Sequence, residues 1–78
     1  MDLNLFIKHF SEQFEDEPLE SFTLSTRFRD LEGWDSLHAL SIMAMVNEIY
    51  KVKITPEEIR TSQTLTDIYE IVKAKLER

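Results

Sequence analysis

The sequence has 78 residues and a formal net charge of −6, and it contains no cysteine and one glycine. These counts exclude a disulfide framework, a thiolate metal site, a cysteine nucleophile and a glycine-rich phosphate loop, and the acidic balance disfavours nucleic-acid binding. Because neither a signal peptide nor an apolar run of membrane-spanning length is present, we expect a single cytoplasmic domain over residues 1–78 without membrane insertion.

The first helix is predicted by an apolar stripe at helical spacing, with Asp2 as its N-cap and Pro18 as its limit. The stripe contains Leu3, Phe6, Ile7, Phe10 and Phe14. A long connection over residues 15–35 follows, and we interpret its opening acidic run, Glu15–Glu17, as a solvated loop. The apolar residues spread along this connection predict that it is held against the core, with a short helical turn near Thr26–Leu31.

The second helix is predicted to begin at Asp35-Ser36 and to end near Tyr50. At about 100° per residue, one side of this helix is apolar and is predicted to face the core. That side contains Ala39, Ile42, Met43, Val46, Ile49 and Tyr50. The remaining arc is predicted to face solvent and contains Leu37, His38, Ser41, Met45 and Glu48.

Two capping boxes predict the starts of the last two helices. Thr55 and Glu58 flank Pro56, which suits the first position of a short third helix. A similar pattern begins at Thr64 and opens the last helix, whose apolar stripe includes Leu65. The sequence therefore predicts an all-α fold, a small four-helix bundle with three main helices, a short third helix and a long first loop.

The most informative residues lie just before the second helix, where the single glycine, Gly33, is followed by Trp34, Asp35 and Ser36. A hydroxyl at a helix N-terminus lies beside unpaired N–H groups and the positive end of the helix dipole, where an attached phosphate is stabilised. Aspartate and serine are also the most frequent helix caps, so a plain capping role fits the same residues. Both readings stay open at this point. We interpret Trp34 as packing on the loop.

The sequence resembles the acyl carrier proteins and the related peptidyl carrier domains over nearly its whole length. The resemblance is carried by Thr26–Leu37, Ile54–Ile59 and Thr64-Leu65. It implies that Ser36 receives 4′-phosphopantetheine from coenzyme A, through a phosphodiester bond made by a magnesium-dependent phosphopantetheinyl transferase. It also implies that Asp35 lies beside the attachment site and helps to engage the transferase and its metal.

The resemblance further implies a carrier rather than an enzyme, with no catalytic residue and no metal site of its own. Acyl groups would travel as thioesters on the arm, in fatty acid, polyketide or another specialised lipid or peptide assembly pathway. The implied partners are the transferase and the acyl-loading, synthase and acyltransferase enzymes, and we expect a monomer. The acyl chain could fold back between the helices, although we favour an ordinary core role for most residues of that gap. They are Leu40, Met43, Val46, Ile54, Ile59, Leu65 and Tyr69.

The charge distribution departs from carriers of bacterial fatty acid synthesis, whose second and third helices are strongly acidic. Residues 1–35 contain nine acids and three bases, whereas residues 36–78 contain six of each. We therefore expect partners to bind mainly through apolar contacts, in a dedicated pathway. The predicted contact surface is Leu37, Ser41, Met45 and Glu48. The alternative function is a small helical protein-interaction module without a prosthetic group, in which Ser36 is only a cap.

Overall fold

The computed structural model describes residues 1–15 and 17–77, so Asp16 of the predicted acidic run and Arg78 of the last helix lie outside the described residues. Within the described ranges the chain forms helices and no strand, which confirms the predicted all-α four-helix fold. The helices are α1 (Leu3–Ser11), α2 (Ser36–Tyr50), α3 (Pro56–Thr61) and α4 (Leu65–Leu76). Two short 3₁₀ turns, Leu19–Ser21 and Phe28–Asp30, lie in the first connection.

The helix starts follow the predicted caps. The side chain of Asp2 accepts a hydrogen bond from the Leu5 amide at 3.0 Å. Thr55 and Thr64 each open a reciprocal capping box, and Pro56 occupies the first turn of α3. These caps satisfy amide groups that a helix N-terminus would otherwise leave unpaired. In the described part of the chain, no helix is long and apolar enough to cross a membrane.

The core is built around phenylalanine. All five phenylalanines are buried, and the Phe10 ring lies 5.8 Å from Phe14 and 5.9 Å from Phe28 between centroids. Phe22 and Phe28 belong to the first connection, which confirms that this long loop is held against the core. Helix α1 ends at Ser11, before the predicted limit, yet two further turn hydrogen bonds bring Phe14 into the core.

The buried face of α2 differs from the prediction. Met45, expected in the solvent-facing arc, is only 5% exposed, whereas Ile49, expected in the core, is 42% exposed. The reason lies in the turn that follows α1, where Phe14 packs on His38 and belongs to the same buried core as Met45. The rings of Phe14 and His38 stack there with centroids 4.7 Å apart. The buried arc of α2 is therefore shifted toward α1 relative to the one predicted from apolar residues alone.

The first connection is also attached to the C-terminal half of the chain by polar contacts. The Arg29 guanidinium donates to the carbonyl oxygens of Ile59, Arg60 and Ser62 at the end of α3. Nearby, the Thr66 hydroxyl donates to the Leu24 carbonyl oxygen at 2.7 Å. These contacts hold the middle of the first connection against the C-terminal half of the chain.

Candidate functional site

A tight turn delivers the chain to the start of α2. The Trp34 amide donates to the Leu31 carbonyl oxygen at 3.1 Å, and Gly33, the third residue of the turn, has φ = +86°. A type II turn requires positive φ at this position, which glycine adopts without a steric penalty. A Cβ on Gly33 would meet open space, so the backbone conformation alone explains why glycine stands here.

Trp34 fixes the turn to the core. Its ring is half-buried and lies 5.1 Å from Phe28 and 6.1 Å from Phe14 between centroids. The predicted packing of Trp34 on the loop is therefore confirmed. This packing holds the backbone in place just before Asp35.

Asp35, and not Ser36, caps α2. The Asp35 backbone is extended, and its Oδ1 atom accepts hydrogen bonds from the His38 amide at 3.0 Å and from His38 Nδ1 at 2.8 Å. The hydrogen bond from the His38 side chain, followed by the one from its amide, lowers the pKa of Asp35 below its ordinary value. The capping role that the sequence left open for Ser36 is therefore wrong, because the neighbouring carboxylate fills it.

Ser36 is the first residue of α2 and is exposed to solvent. Its hydroxyl makes no hydrogen bond to any residue in the ranges 1–15 and 17–77. A phosphate ester on this oxygen would lie at the positive end of a helix dipole, next to amide groups of the first turn. The surroundings of Ser36 thus fit a group attached through a phosphodiester.

An apolar groove begins at Ser36 and runs between α2 and α3. It encloses about 360 Å³. Its lining residues are Arg29, Trp34, Ser36, Ala39, Leu40, Met43, Pro56, Ile59 and Arg60. Of the residues predicted for the gap between the helices, Leu40, Met43 and Ile59 line this groove. Ile59 is also buried in the core, together with Val46, Ile54 and Leu65.

Residues 5–72 match the family model described as phosphopantetheine attachment site. An acyl carrier protein from Phytoplasma australiense is 35% identical over 57 residues, which are 73% of this chain and 75% of that protein. The chain belongs to the acyl carrier protein family. Members of this family bind 4′-phosphopantetheine covalently, and they are carriers rather than catalysts.

In this acyl carrier family member, the predicted partner-contact residues do not all share one surface. Leu37 is 69% exposed, and Ser41 and Glu48 are also exposed, as their predicted arc requires. Met45 is buried, so its predicted availability to a partner is wrong. Leu40, which sequence reasoning assigned to the interior, is 57% exposed at the groove beside Ser36.

His38 is the residue near the attachment site that sequence reasoning missed. The sequence gives no metal or base partner for it and therefore no role. The available signal was its position three residues after the cap, where a side chain reaches back to the capping residue. Among the described residues, no three carboxylate or imidazole side chains cluster in a way that could hold a metal ion.

Proposed function

We propose that this protein carries acyl intermediates as thioesters on a 4′-phosphopantetheine arm attached to Ser36. The observation that supports the proposal best is the position of Ser36, the exposed first residue of a 15-residue helix, whose hydroxyl has no partner among the described residues. Membership of the acyl carrier protein family supplies the identity of the group. We infer a dedicated fatty acid, polyketide, lipid or peptide assembly pathway, with the 78 residues forming one carrier unit.

Each residue of the site contributes a distinct part of this function. The arm, when bound, supplies the thiol on which the acyl group is held. Ser36 presents the attachment oxygen, and Asp35 offers a carboxylate beside it to the transferase and its metal. The groove along Leu40, Met43 and Ile59 offers apolar surface to a cargo near the arm. A carrier of this kind raises the local concentration of its cargo at successive active sites.

The partner surface is proposed to centre on the first turns of α2. Leu37 and Leu40 are both exposed, and they lie one and four residues after Ser36 in α2. Glu48 is the single acidic residue of α2. On the α2 side of the site, a partner that presents apolar side chains suits this surface better than one that relies on basic side chains. The partners proposed are a phosphopantetheinyl transferase and the loading, synthase and acyltransferase enzymes that follow it.

The proposal is tested by incubation with coenzyme A, magnesium and a broad-specificity phosphopantetheinyl transferase, followed by intact-mass measurement. We expect a mass gain of one phosphopantetheinyl group in the unaltered protein and in Ser41→Ala, and no gain in Ser36→Ala. Ser41 is the matched control because it is an exposed serine in the same helix. Since Asp35 provides the cap, Ser36→Ala should keep its helical circular dichroism spectrum and its thermal midpoint.

A transferase that modifies a reference carrier but leaves this protein unchanged would contradict the proposal. That result would favour the alternative, a helical interaction module without a prosthetic group. A mass gain that persists in Ser36→Ala would contradict the attachment site while leaving the carrier function intact.

A further inference from the structure

His38 connects the attachment site to the aromatic core. Its ring stacks on Phe14, with centroids 4.7 Å apart and planes inclined by 18°, and it also lies 6.2 Å from Trp34 at 29°. Phe14 is itself buried. The imidazole is therefore packed against two aromatic rings, and this packing restricts its orientation.

The same imidazole controls the neighbouring carboxylate. Both hydrogen bonds from His38, one from its amide and one from Nδ1, end on Oδ1 of Asp35. The Asp35 side chain is about half exposed, and within the described residues no hydrogen bond occupies its Oδ2 atom. Oδ1 is thus held by two hydrogen bonds, whereas Oδ2 remains available to a partner next to Ser36 in the sequence.

We propose that His38 is a positioning residue for the modification of Ser36, which orients the free oxygen of Asp35 toward the incoming transferase. This inference rests on the proposed function. In the modification, Ser36 Oγ forms a bond to the phosphorus that carries the pantetheine, and the pyrophosphate bond of coenzyme A breaks. Adenosine 3′,5′-bisphosphate leaves, and the serine proton is balanced on the departing phosphate. His38 takes no part in bond making and acts only through Asp35.

The physical reason is preorganisation. A capping aspartate with only the amide contact can rotate about its side-chain torsions, whereas a second donor on the same oxygen removes that freedom. Hydrogen-bonded partners of a metal-binding group typically change activity by about 10- to 100-fold when they are lost. A misplacement of about 1 Å in a positioned group can also lower the rate about 100-fold.

Two variants separate hydrogen bonding from packing. His38→Phe keeps a ring that can stack on Phe14 but removes the donor, and His38→Asn places an amide donor near the position of Nδ1 without the ring. We expect His38→Phe to lower kcat of the transferase about tenfold with KM unchanged within about twofold. His38→Asn should recover most of that loss, within about threefold of the unaltered protein. A purely structural role predicts the reverse order, with the phenylalanine variant closer to normal.

A readout without the transferase tests the hydrogen bond itself. In a neutral imidazole, donation to Asp35 requires the proton on Nδ1. We expect ¹⁵N NMR of His38 at pH 8 to show a protonated Nδ1, and to lose that signature in Asp35→Ala. A proton on Nε2 in the unaltered protein would overturn the inference. Equal kcat for His38→Phe and the unaltered protein would overturn it too. A failure of the proposed function is distinguishable, because the unaltered protein would then accept no phosphopantetheinyl group.

Discussion

At the scale of single residues, the most consequential observation is that each of the four residues Gly33–Ser36, which lead into α2, has a different role. Gly33 makes the turn, Trp34 anchors it, Asp35 caps the helix and Ser36 is left exposed. The sequence could identify this stretch of four residues as a helix start, because glycine, aspartate and serine have strong positional preferences at turns and helix starts. It could not assign the cap, since aspartate and serine are equally good caps and only the backbone conformation distinguishes them.

Leu37 offers the clearest residue-scale prediction about partner binding. We expect Leu37→Glu to raise KM for the transferase about tenfold with little change in kcat, because a charged side chain replaces an exposed apolar anchor. A glutamate in the first turn is compatible with the helix dipole, so α2 should stay folded. The measurement is steady-state kinetics with the carrier as the varied substrate.

Leu5→Glu is the matched control for this change, since Leu5 is a 49% exposed leucine on α1 rather than on α2. It should leave both kinetic parameters unchanged. Equal effects of the two substitutions would show that charge alone, and not the surface around Ser36, weakens the interaction.

At the scale of elements, the helices with explicit start signals were predicted best. The capping boxes at Thr55 and Thr64 and the proline at the start of α3 agree with the structure. The buried face of α2 was predicted less well. Its boundary depends on where α1 ends and how Phe14 packs on His38, and these are tertiary contacts that periodicity along one helix does not contain. Met45 was therefore assigned to the wrong side.

The short helix α3 depends on the first connection, and this gives an element-scale prediction. The Arg29 guanidinium donates to three carbonyl oxygens at the end of α3, including that of Ile59 at 2.6 Å. A helix of six residues has little stability of its own. We expect Arg29→Ala to lower the free energy of unfolding by about 1–2 kcal/mol in urea denaturation, a range that allows for the exposure of this residue.

Arg27→Ala is the control for that change. Arg27 is an exposed arginine of the same loop, and its guanidinium pairs with Asp30 at 3.4 Å. Its loss should change stability by less than about 0.5 kcal/mol. Hydrogen exchange should become faster in the α3 amides of Arg29→Ala alone. If the α3 amides keep their protection in that variant, the loop does not stabilise the helix.

At the scale of the whole molecule, the sequence shows which part of the chain carries the negative excess, and the structure shows where those charges lie on the surface. The negative excess lies in residues 1–35, and three of its glutamates, Glu15, Glu17 and Glu32, line a pocket of about 300 Å³ that also contains Leu37 and His38. The apolar groove lies between α2 and α3. The attachment site is thus bordered by an acidic surface and an apolar one, a juxtaposition that requires the tertiary fold.

Carboxylates in the capping boxes predict how stability depends on pH. The amides of Gln63 and Thr64 donate to Asp67 and lower its pKa. Burial opposes ionisation of Glu58, but hydrogen bonds from Lys75 and Thr55 lower its pKa overall. Because these groups are more acidic when folded, they stabilise the protein above their ordinary pKa values of about 4 and lose that contribution as pH falls through the folded values.

We therefore expect the thermal midpoint to fall as pH is lowered from about 5 to about 3. Asp67→Asn keeps an oxygen that can accept from the two amides but does not titrate, so it should flatten part of this slope. Circular dichroism melts across this pH range measure both effects. An identical slope in the variant would show that Asp67 does not contribute to the acid sensitivity.

The central claim is that Ser36 carries the arm, and fragmentation mass spectrometry of protein produced together with a phosphopantetheinyl transferase tests it most directly. We predict a phosphopantetheinyl group on the peptide that contains Ser36, with fragment ions that place it on that residue and not on Ser41. An arm on any other residue, or an unmodified peptide when the transferase is active on a reference carrier, would contradict the claim.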